Sequence, residues 1–319
     1  MFYKGVRCHE INVTMRSYDT CIAWNWLYDR DFVTLFVEQC SSRGLSVLEV
    51  TTDVLKNTLK ALESGLITFQ SFIDRASDTD KKYLPLNQWA FDHNVYRINP
   101  QERALRALNK ATMHLDLITA GIHTPHTIIL PPYEEQPSIS GIDISVLGKN
   151  FFIKPAHGGG GEGVIRHANT LHDVMIARQT YPADYYLLQR HITSVCIGGR
   201  PAWFRIICCD GTVFPNWWNP SSHLYKPVSH EECLVNSLQP LWTITELIAK
   251  VCGLDMFSTE IALTPENCFV VVDYVNDQID LRLQSKTPDG VPDQIVHRIS
   301  EILTSMISRY CRRDQTHYH

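Results

Sequence analysis

The sequence predicts an α/β domain at the N-terminus, followed by a larger α+β region. Two observations support this fold class. Between Asp31 and Arg75, segments with helical spacing alternate with short apolar runs, which is typical of parallel strands flanked by helices. Beyond about residue 150, strand signals dominate and two helical segments interrupt them.

The N-terminal domain begins its alternation with a helix. Phe32, Leu35 and Phe36 fall at helical spacing, and Gly44 marks the end of that helix. The next predicted elements are a strand, a helix and a strand, at residues 45–50, 53–62 and 67–73. Because ligands bind at the carboxyl edge of parallel strands, we expect functional groups at the strand ends.

A second helical segment follows a short strand at residues 95–98. Asn99 is a candidate N-cap, Pro100 suits the first helical position, and Glu102 suits a capping box. We expect this helix to run to about Ala120 and to stop at Gly121. An extended segment and a weakly patterned stretch rich in Ser, Pro and Gly come next.

The β-rich region contains seven candidate strands and two candidate helices. The strands are expected at residues 151–154, 164–167, 185–192, 203–209, 212–217, 256–263 and 268–275. The helices are expected at residues 243–251 and 293–310.

Composition excludes several classes of protein. The net charge is −5, from 29 basic and 34 acidic residues, and the basic residues are scattered, which argues against a nucleic-acid partner. No apolar run is long enough to cross a bilayer, and the first residues lack a secretory apolar core, so we expect a cytoplasmic protein without a membrane partner. The ten cysteines have no paired spacing and are expected to be reduced.

A glycine-rich loop joins two of the predicted strands. It contains Gly158, Gly159, Gly160, Gly161 and Gly163. Such a loop lets backbone N–H groups approach phosphate oxygens closely. The P-loop pattern fails because no Lys-Ser or Lys-Thr follows, and the dinucleotide fingerprint is disfavoured because a strand rather than a helix follows. A lid over nucleotide phosphates and a hairpin tip without a ligand remain.

Acidic side chains lie within two apolar strands. Glu260 is in one strand, and Asp273 and Asn276 are in the next. A buried carboxylate without a partner is costly, so a positive group should face these acids. Magnesium prefers such oxygen ligands, whereas ion pairs with Arg205 or Arg282 are the alternative explanation.

The order of these features resembles the ATP-grasp superfamily over roughly residues 74–275 and beyond. The ordered features are Asp74-Arg75, Lys110, the Gly121-Ile122-His123-Thr124-Pro125 segment, Lys154-Pro155, the glycine loop, the strand at residues 187–192, Phe204-Arg205-Ile206 and the final acidic pair. The resemblance implies two lobes that clamp ATP. It divides the chain into an N-terminal domain (1–98), a lobe with the lid (99–192) and a C-terminal lobe with the metal site (193–319).

The resemblance also implies roles for individual residues. The implied nucleotide-binding residues are Lys110, Lys154, the lid glycines 158–161 and 163, and the adenine hinge Gln189, Arg190, His191 and Ile192. The implied magnesium ligands are Glu260, Asp273 and Asn276, and the implied catalytic residues are Arg205 and Arg282. The gap from Asp273 to Asn276 is one residue longer than usual, so Asp277 or Asp280 could share the metal.

The activity that the resemblance implies is an ATP-dependent ligase that uses Mg²⁺. A small-molecule or peptide carboxylate becomes an acyl phosphate, and an amine or thiol acceptor displaces the phosphate. His223 and Lys226 could reach the acceptor, while the Trp217-Trp218 pair is expected to pack in the core. A small-molecule kinase and a catalytically silent nucleotide-binding scaffold are the alternatives, and family habit suggests a homodimer.

Overall fold

The structure is a computed structural model that describes residues 15–316 and the side chains of residues 15–312. The described chain divides into two compact units. The smaller unit comprises residues 15–27, 37–97 and 307–316, and the larger unit comprises residues 28–36 and 98–306. Residues 1–14, on which the predicted lack of a secretory signal depends, lie outside the described part. The predicted division into three domains stays a prediction.

The smaller unit is built on a four-stranded sheet in the order β2-β1-β3-β4. Its strands are β1 (Arg16–Trp24), β2 (Val47–Val50), β3 (Ile67–Arg75) and β4 (Tyr96–Ile98). The first three helices are α1 (Arg30–Ser42), α2 (Leu55–Glu63) and α3 (Leu84–Asp92). β1 is parallel to both β2 and β3, so the parallel pairing predicted from the alternation is confirmed. The sequence prediction did not include β1 or α3.

The larger unit contains two large antiparallel sheets and a separate two-stranded one. The first, which we call the lid sheet, has the order β5-β8-β6-β7. Its strands are β5 (Thr127–Leu130), β6 (Phe151–Pro155), β7 (Ile165–Ala168) and β8 (Tyr186–Gln189). Helix α6 (Leu171–Thr180) covers one face, and Val174 and Ala177 share a buried cluster with Ile153 and Leu188.

The second sheet, which we call the acid sheet, has the order β13-β12-β11-β14-β15. Its strands are β11 (Trp203–Cys209), β12 (Thr212–Trp218), β13 (Tyr225–Pro227), β14 (Met256–Leu263) and β15 (Phe269–Asn276), and a short hairpin of β9 (Cys196–Ile197) and β10 (Arg200–Pro201) precedes them. The remaining helices are α4 (Gln101–Leu108), α5 (Lys110–Thr119), α7 (His230–Val235), α8 (Pro240–Cys252) and α9 (Asp293–Thr316).

Strand alternation decides which side chains of the acid sheet are available for chemistry. Phe204 and Ile206 of β11 belong to a buried cluster with Leu117 of α5 and Ile248 of α8. Because neighbouring residues on a strand face opposite sides, Arg205 lies on the other face of the sheet.

Two predictions about the second helical segment are wrong. Asn109 has an extended backbone and interrupts the segment, so α4 and α5 are separate helices. Its side chain accepts a hydrogen bond from the N–H of Thr112, 3.0 Å away, and therefore caps α5. At the start of α4 the capping position is Pro100 instead of Asn99. The Asn99 side chain instead accepts hydrogen bonds from the N–H groups of Asp255 and Met256.

Within residues 15–316, all nine cysteines are free and most of them are buried. The expectation that the chain is reduced stays a prediction. Across the same residues, no helix combines the length and apolarity needed to cross a membrane.

Candidate active site

Lys154 connects the lid sheet with the acid sheet. It lies on β6 between the buried residues Ile153 and Pro155. Its Nζ donates a hydrogen bond to the carbonyl oxygen of Val272 on β15, 3.3 Å away. Burial lowers the pKa of this ammonium group, and the negative charge of Asp273 opposes that effect. A buried cation therefore lies beside β15, the strand that carries the candidate metal ligand Asp273.

Lys110 lies at the first position of α5 and contacts the base of the glycine loop. Its backbone N–H donates to the carbonyl oxygen of Ala156, 2.9 Å away. Its ammonium group donates to the carbonyl oxygen of Gly158, at 2.5 Å. Burial lowers the pKa of Lys110, again with Asp273 opposing. Both candidate lysines are thus close enough to Asp273 to respond to its charge.

The glycine loop joins the antiparallel strands β6 and β7, so the predicted strand–loop–strand arrangement is confirmed. Gly158, Gly160, Gly161 and Gly163 have φ values of 103°, 60°, 80° and 69°. These values lie in the left-handed region, which only glycine adopts without strain. The loop is fixed at its far end, where the Tyr181 hydroxyl donates to Glu162 Oε1 at 2.9 Å.

The segment predicted as the adenine hinge begins at the end of β8. Gln189 is its last strand residue and is buried. The N–H of Arg190 donates to the carbonyl oxygen of His126 at 2.9 Å, and the His191 ring stacks on Phe152 of β6, with centroids 5.7 Å apart. Arg190 and His191 are exposed and Ile192 is half-buried.

Arg205, Glu260 and Asp273 form a row across three neighbouring strands. Arg205 pairs with Glu260 in the register of β11 and β14, and Glu260 pairs with Asp273 in the register of β14 and β15. Arg205 Nη1 donates to Glu260 Oε1 at 3.0 Å. The Trp203 indole donates to Glu260 Oε2 at 2.9 Å. The ion pair that the sequence left as an alternative therefore exists in this structure.

The charged side chains of this row shift one another's pKa values. Burial raises the pKa of Glu260, Arg205 opposes this, and Asp273 raises it further. Burial acts to lower the pKa of Arg205, but nearby Tyr225, Glu260 and Asp273 outweigh it and the pKa is raised. The guanidinium group consequently stays charged.

A local irregularity of β15 brings Asn276 to Asp273. Between the pairs Ser258–Asn276 and Glu260–Asp273, β15 spans one residue more than β14. Residues three apart on a regular strand would face opposite sides, whereas a bulge restores the same side. Asn276 Nδ2 accordingly donates to Asp273 Oδ2 at 2.9 Å. The bulge accommodates the longer spacing noted in the sequence.

The donor set of this corner fits a magnesium ion. Glu260, Asp273 and Asn276 supply two carboxylates and a carboxamide oxygen, the hard ligands that Mg²⁺ prefers. Within the described part of the chain there is no cluster of three or more His, Cys, Asp or Glu side chains suited to a metal. Oxygen ligands such as those of Glu260, Asp273 and Asn276 do not favour softer transition metals.

Arg282 belongs to a separate group of charges after β15. Its Nη2 donates to Asp280 Oδ2 at 2.7 Å and to Asp289 Oδ2 at 2.9 Å. The hydrogen bonds that Arg282 donates to Asp280 are the main cause of its raised pKa, with burial opposing. Gly290 is required here, because an added Cβ would lie 2.6 Å from the carbonyl oxygen of Arg282.

Several side chains near Arg205 were not predicted as part of the site. Ser258 Oγ accepts from Arg205 Nη2 at 3.2 Å. The Arg205 guanidinium lies over the Trp218 ring, 5.1 Å from its centroid. Burial raises the pKa of Tyr225 to about 12, although Arg205 opposes this. Trp203 lies two residues before Arg205 on β11, and Ser258 lies two residues before Glu260 on β14. Strand alternation alone could therefore have identified both as neighbours on the same face of the sheet.

The two residues suggested for the acceptor differ in their surroundings. The His223 ring is exposed and stacks on Trp218, with centroids 5.4 Å apart and planes 3° apart. Lys226 Nζ lies 3.6 Å from Glu232 Oε1. His223 is therefore adjacent to the Arg205–Trp218 contact, whereas Lys226 pairs with a carboxylate on α7.

No protein-family model and no curated protein sequence matches the chain. Solved structures match it in fold. D-alanine–D-alanine ligase from Bacillus anthracis, solved with ATP, is 11% identical with a TM-score of 0.64, over 96% of this chain and 100% of the ligase. A RimK domain ATP-grasp protein from Sphaerobacter thermophilus is 16% identical with a TM-score of 0.62, over 90% and 99%.

A third match is the ATP-grasp ligase PsnB, solved with a minimal precursor, Mg and ADP. It is 12% identical with a TM-score of 0.60, over 92% of this chain and 98% of PsnB. The chain therefore has the ATP-grasp fold, and the predicted fold class is confirmed.

Proposed function

We propose that the protein is an ATP-dependent, Mg²⁺-dependent ligase that joins a carboxylate to an amine or thiol. The main observation in support is the cross-strand row of Arg205, Glu260 and Asp273. Lys154, on the lid sheet, donates a hydrogen bond to β15, the strand that carries Asp273. The row collects buried charges of both signs where the ATP-grasp fold brings a glycine loop and two lysines together. A purely structural ion pair would not need this many cations.

Different residues of the chain bind the phosphates, the base and the metal. Lys110, Lys154 and the amides of the glycine loop hold the phosphates, and the segment from Gln189 to Ile192 holds the base. Glu260, Asp273 and Asn276 hold Mg²⁺, which offsets the charge of the phosphates when it is bound. Lys110 donates one ammonium proton to the carbonyl oxygen of Gly158, so its other two protons are available for phosphate oxygens.

Arg205 stabilises the charge that develops during phosphoryl transfer. A substrate carboxylate oxygen bonds to the terminal phosphorus of ATP while the bond from that phosphorus to the ADP oxygen breaks. The amine or thiol then bonds to the acyl carbon, inorganic phosphate leaves, and the acceptor's proton is lost. Arg205 suits the first step because its guanidinium is fixed by Glu260, Ser258 and Trp218.

The proposed carboxylate is a small molecule or a peptide. The solved structures that share the fold include a ligase for D-alanine and a ligase bound to a precursor. We propose that Arg282 acts on the carboxylate or acyl phosphate only after releasing Asp280 or Asp289, which offset its charge.

A screen of carboxylate and acceptor pairs tests this function. The readout is ADP formation with Mg-ATP, and hydroxylamine is added to trap an acyl phosphate as a hydroxamate. A ligase gives both ADP and hydroxamate with the true carboxylate. ADP without hydroxamate would indicate a kinase, and failure of the protein to bind Mg-ATP would contradict the proposal.

A further inference from the structure

A buried hydroxyl joins three elements that each carry a candidate site residue. Tyr274 follows Asp273 on β15, and its side chain is buried. Gln189 Nε2 at the end of β8 donates to the Tyr274 hydroxyl at 2.5 Å. Nδ1 of His114 on α5 lies 2.7 Å from the same oxygen. Three elements thus meet at the Tyr274 hydroxyl oxygen. They are α5, which begins at Lys110, β8, which ends at Gln189, and β15, which carries Asp273.

Polar side chains from the three elements meet at this junction. The Gln189 amide donates to the Tyr274 hydroxyl, and His114 Nδ1 lies within hydrogen-bond distance of the same oxygen. Burial lowers the pKa of His114 to about 4, which keeps the imidazole neutral. Gln189 also donates to Thr127 Oγ1 at 3.2 Å. Each buried polar group at the junction therefore has a partner.

The three elements carry different parts of the proposed site. Lys110 is one helical turn before His114 on α5, so the junction fixes the phosphate lysine along its helix. Gln189 opens the hinge, and Asp273 is bonded directly to Tyr274.

We infer that the Tyr274 hydroxyl is a positioning group that fixes the base, phosphate and metal subsites relative to one another. This inference rests on the proposed function. A ligand that spans all three subsites gains affinity from their fixed geometry, whereas a fragment that contacts a single subsite does not. Tyr274 itself is not among the residues proposed to contact the nucleotide or the metal.

The Tyr274→Phe variant tests this inference, with Tyr186→Phe as the matched control. Tyr186 is also buried on β8, but its hydroxyl donates to the carbonyl oxygen of Ala177 and lies outside the junction. The ligands are Mg-AMPPNP, adenosine and metal-free tripolyphosphate, with affinities from calorimetry or competition. His114→Leu is a second variant, which removes a hydrogen-bond partner of the Tyr274 hydroxyl.

For Tyr274→Phe and His114→Leu, we expect the affinity for Mg-AMPPNP to fall about tenfold, since each leaves a buried polar group unpaired. The affinities for adenosine and for metal-free tripolyphosphate should stay within about twofold of the Tyr186→Phe values, because each of these fragments contacts a single subsite and gains nothing from the fixed geometry. Equal Mg-AMPPNP affinity in Tyr274→Phe and Tyr186→Phe would overturn the inference alone. Equal losses for the fragments and for Mg-AMPPNP would also overturn it. A wild-type protein that binds no Mg-AMPPNP would overturn the proposed function itself.

Discussion

Glu260 and Asp273 are direct cross-strand partners, and β15 has an extra residue on each side of Asp273. The two carboxylates consequently share one face of the acid sheet, beside Arg205 and Lys154. Two like charges at adjacent strand positions repel each other. Arg205 and Lys154 offset this repulsion, and the proposed magnesium ion would offset it further, which explains why the pair is retained in a partly buried position.

Asp273→Asn should remove most of the ligase activity. The substitution keeps the side-chain volume but removes a charge that both lysines and the proposed magnesium ion require. We expect ADP formation to fall at least about 100-fold, the size of effect seen when one charge-stabilising group is lost from an active site. Glu266→Gln, at the exposed turn of the same hairpin, is the control and should retain activity. Unchanged turnover in Asp273→Asn would remove the metal assignment.

The two candidate catalytic arginines should respond differently to lysine. Arg205→Lys loses the fork that reaches Glu260 and Ser258, and we expect kcat to fall about 100-fold. Arg282→Lys cannot bridge Asp280 and Asp289 together, so a lower melting temperature is expected. Steady-state kinetics and thermal melting separate the two effects. A normal kcat in Arg205→Lys would contradict its catalytic role.

Gly163 should tolerate alanine less well than Gly159. At Gly163 φ is 69°, and an added Cβ would lie 2.7 Å from the Tyr181 ring. Nothing lies within 4 Å of a Cβ added at Gly159. We expect Gly163→Ala to cost about 1–3 kcal/mol of unfolding free energy, from strain at positive φ. Chemical denaturation measures this cost, and equal stability of the two variants would show that the loop accommodates the methyl group.

The stability of the protein should depend on pH through His114. Its pKa is about 4 in the folded protein, and about 6.5 in an unfolded chain. The unfolded state therefore binds a proton first as the pH falls, and up to roughly 3 kcal/mol of stability is lost between pH 6.5 and 4. This contribution is fully present above pH 6.5.

Denaturant unfolding of His114→Leu at several pH values isolates this contribution. The variant should be less stable at pH 7, because Tyr274 loses a hydrogen-bond partner, but its stability should decline less steeply toward acid. His172→Leu, which changes an exposed histidine on α6, is the control. Parallel pH profiles for the wild type and His114→Leu would mean that the buried imidazole does not titrate as expected.

The sequence predicted the elements whose pattern is strong. The strands of Arg205, Glu260 and Asp273 are apolar runs bounded by turn residues, and each was predicted to within one residue. Helix α6 was missed because its apolar residues are clustered in the sequence and do not form one clear helical stripe, and α7 was missed because it has only six residues. Both nevertheless begin with capping boxes, at Thr170 and Ser229, and this local signal could have identified them.

The sequence could not predict contacts that depend on tertiary structure. Tyr274 reads as an ordinary strand aromatic, and nothing local indicates that Gln189 and His114 converge on it. The bulge at Asp273 is likewise a property of pairing between strands. The prediction of one continuous helix through Asn109 was wrong for a different reason. An asparagine within an apolar periodic segment can either continue the helix or cap a new one.

Calorimetric titration with AMPPNP, with and without Mg²⁺, tests the central claim most directly. If the lid, both lysines and the carboxylate pair bind one Mg-nucleotide, the wild type should bind a single equivalent in a Mg²⁺-dependent manner, and Asp273→Ala should lose that dependence. Absence of binding at millimolar nucleotide, or equal affinity with and without Mg²⁺, would contradict it.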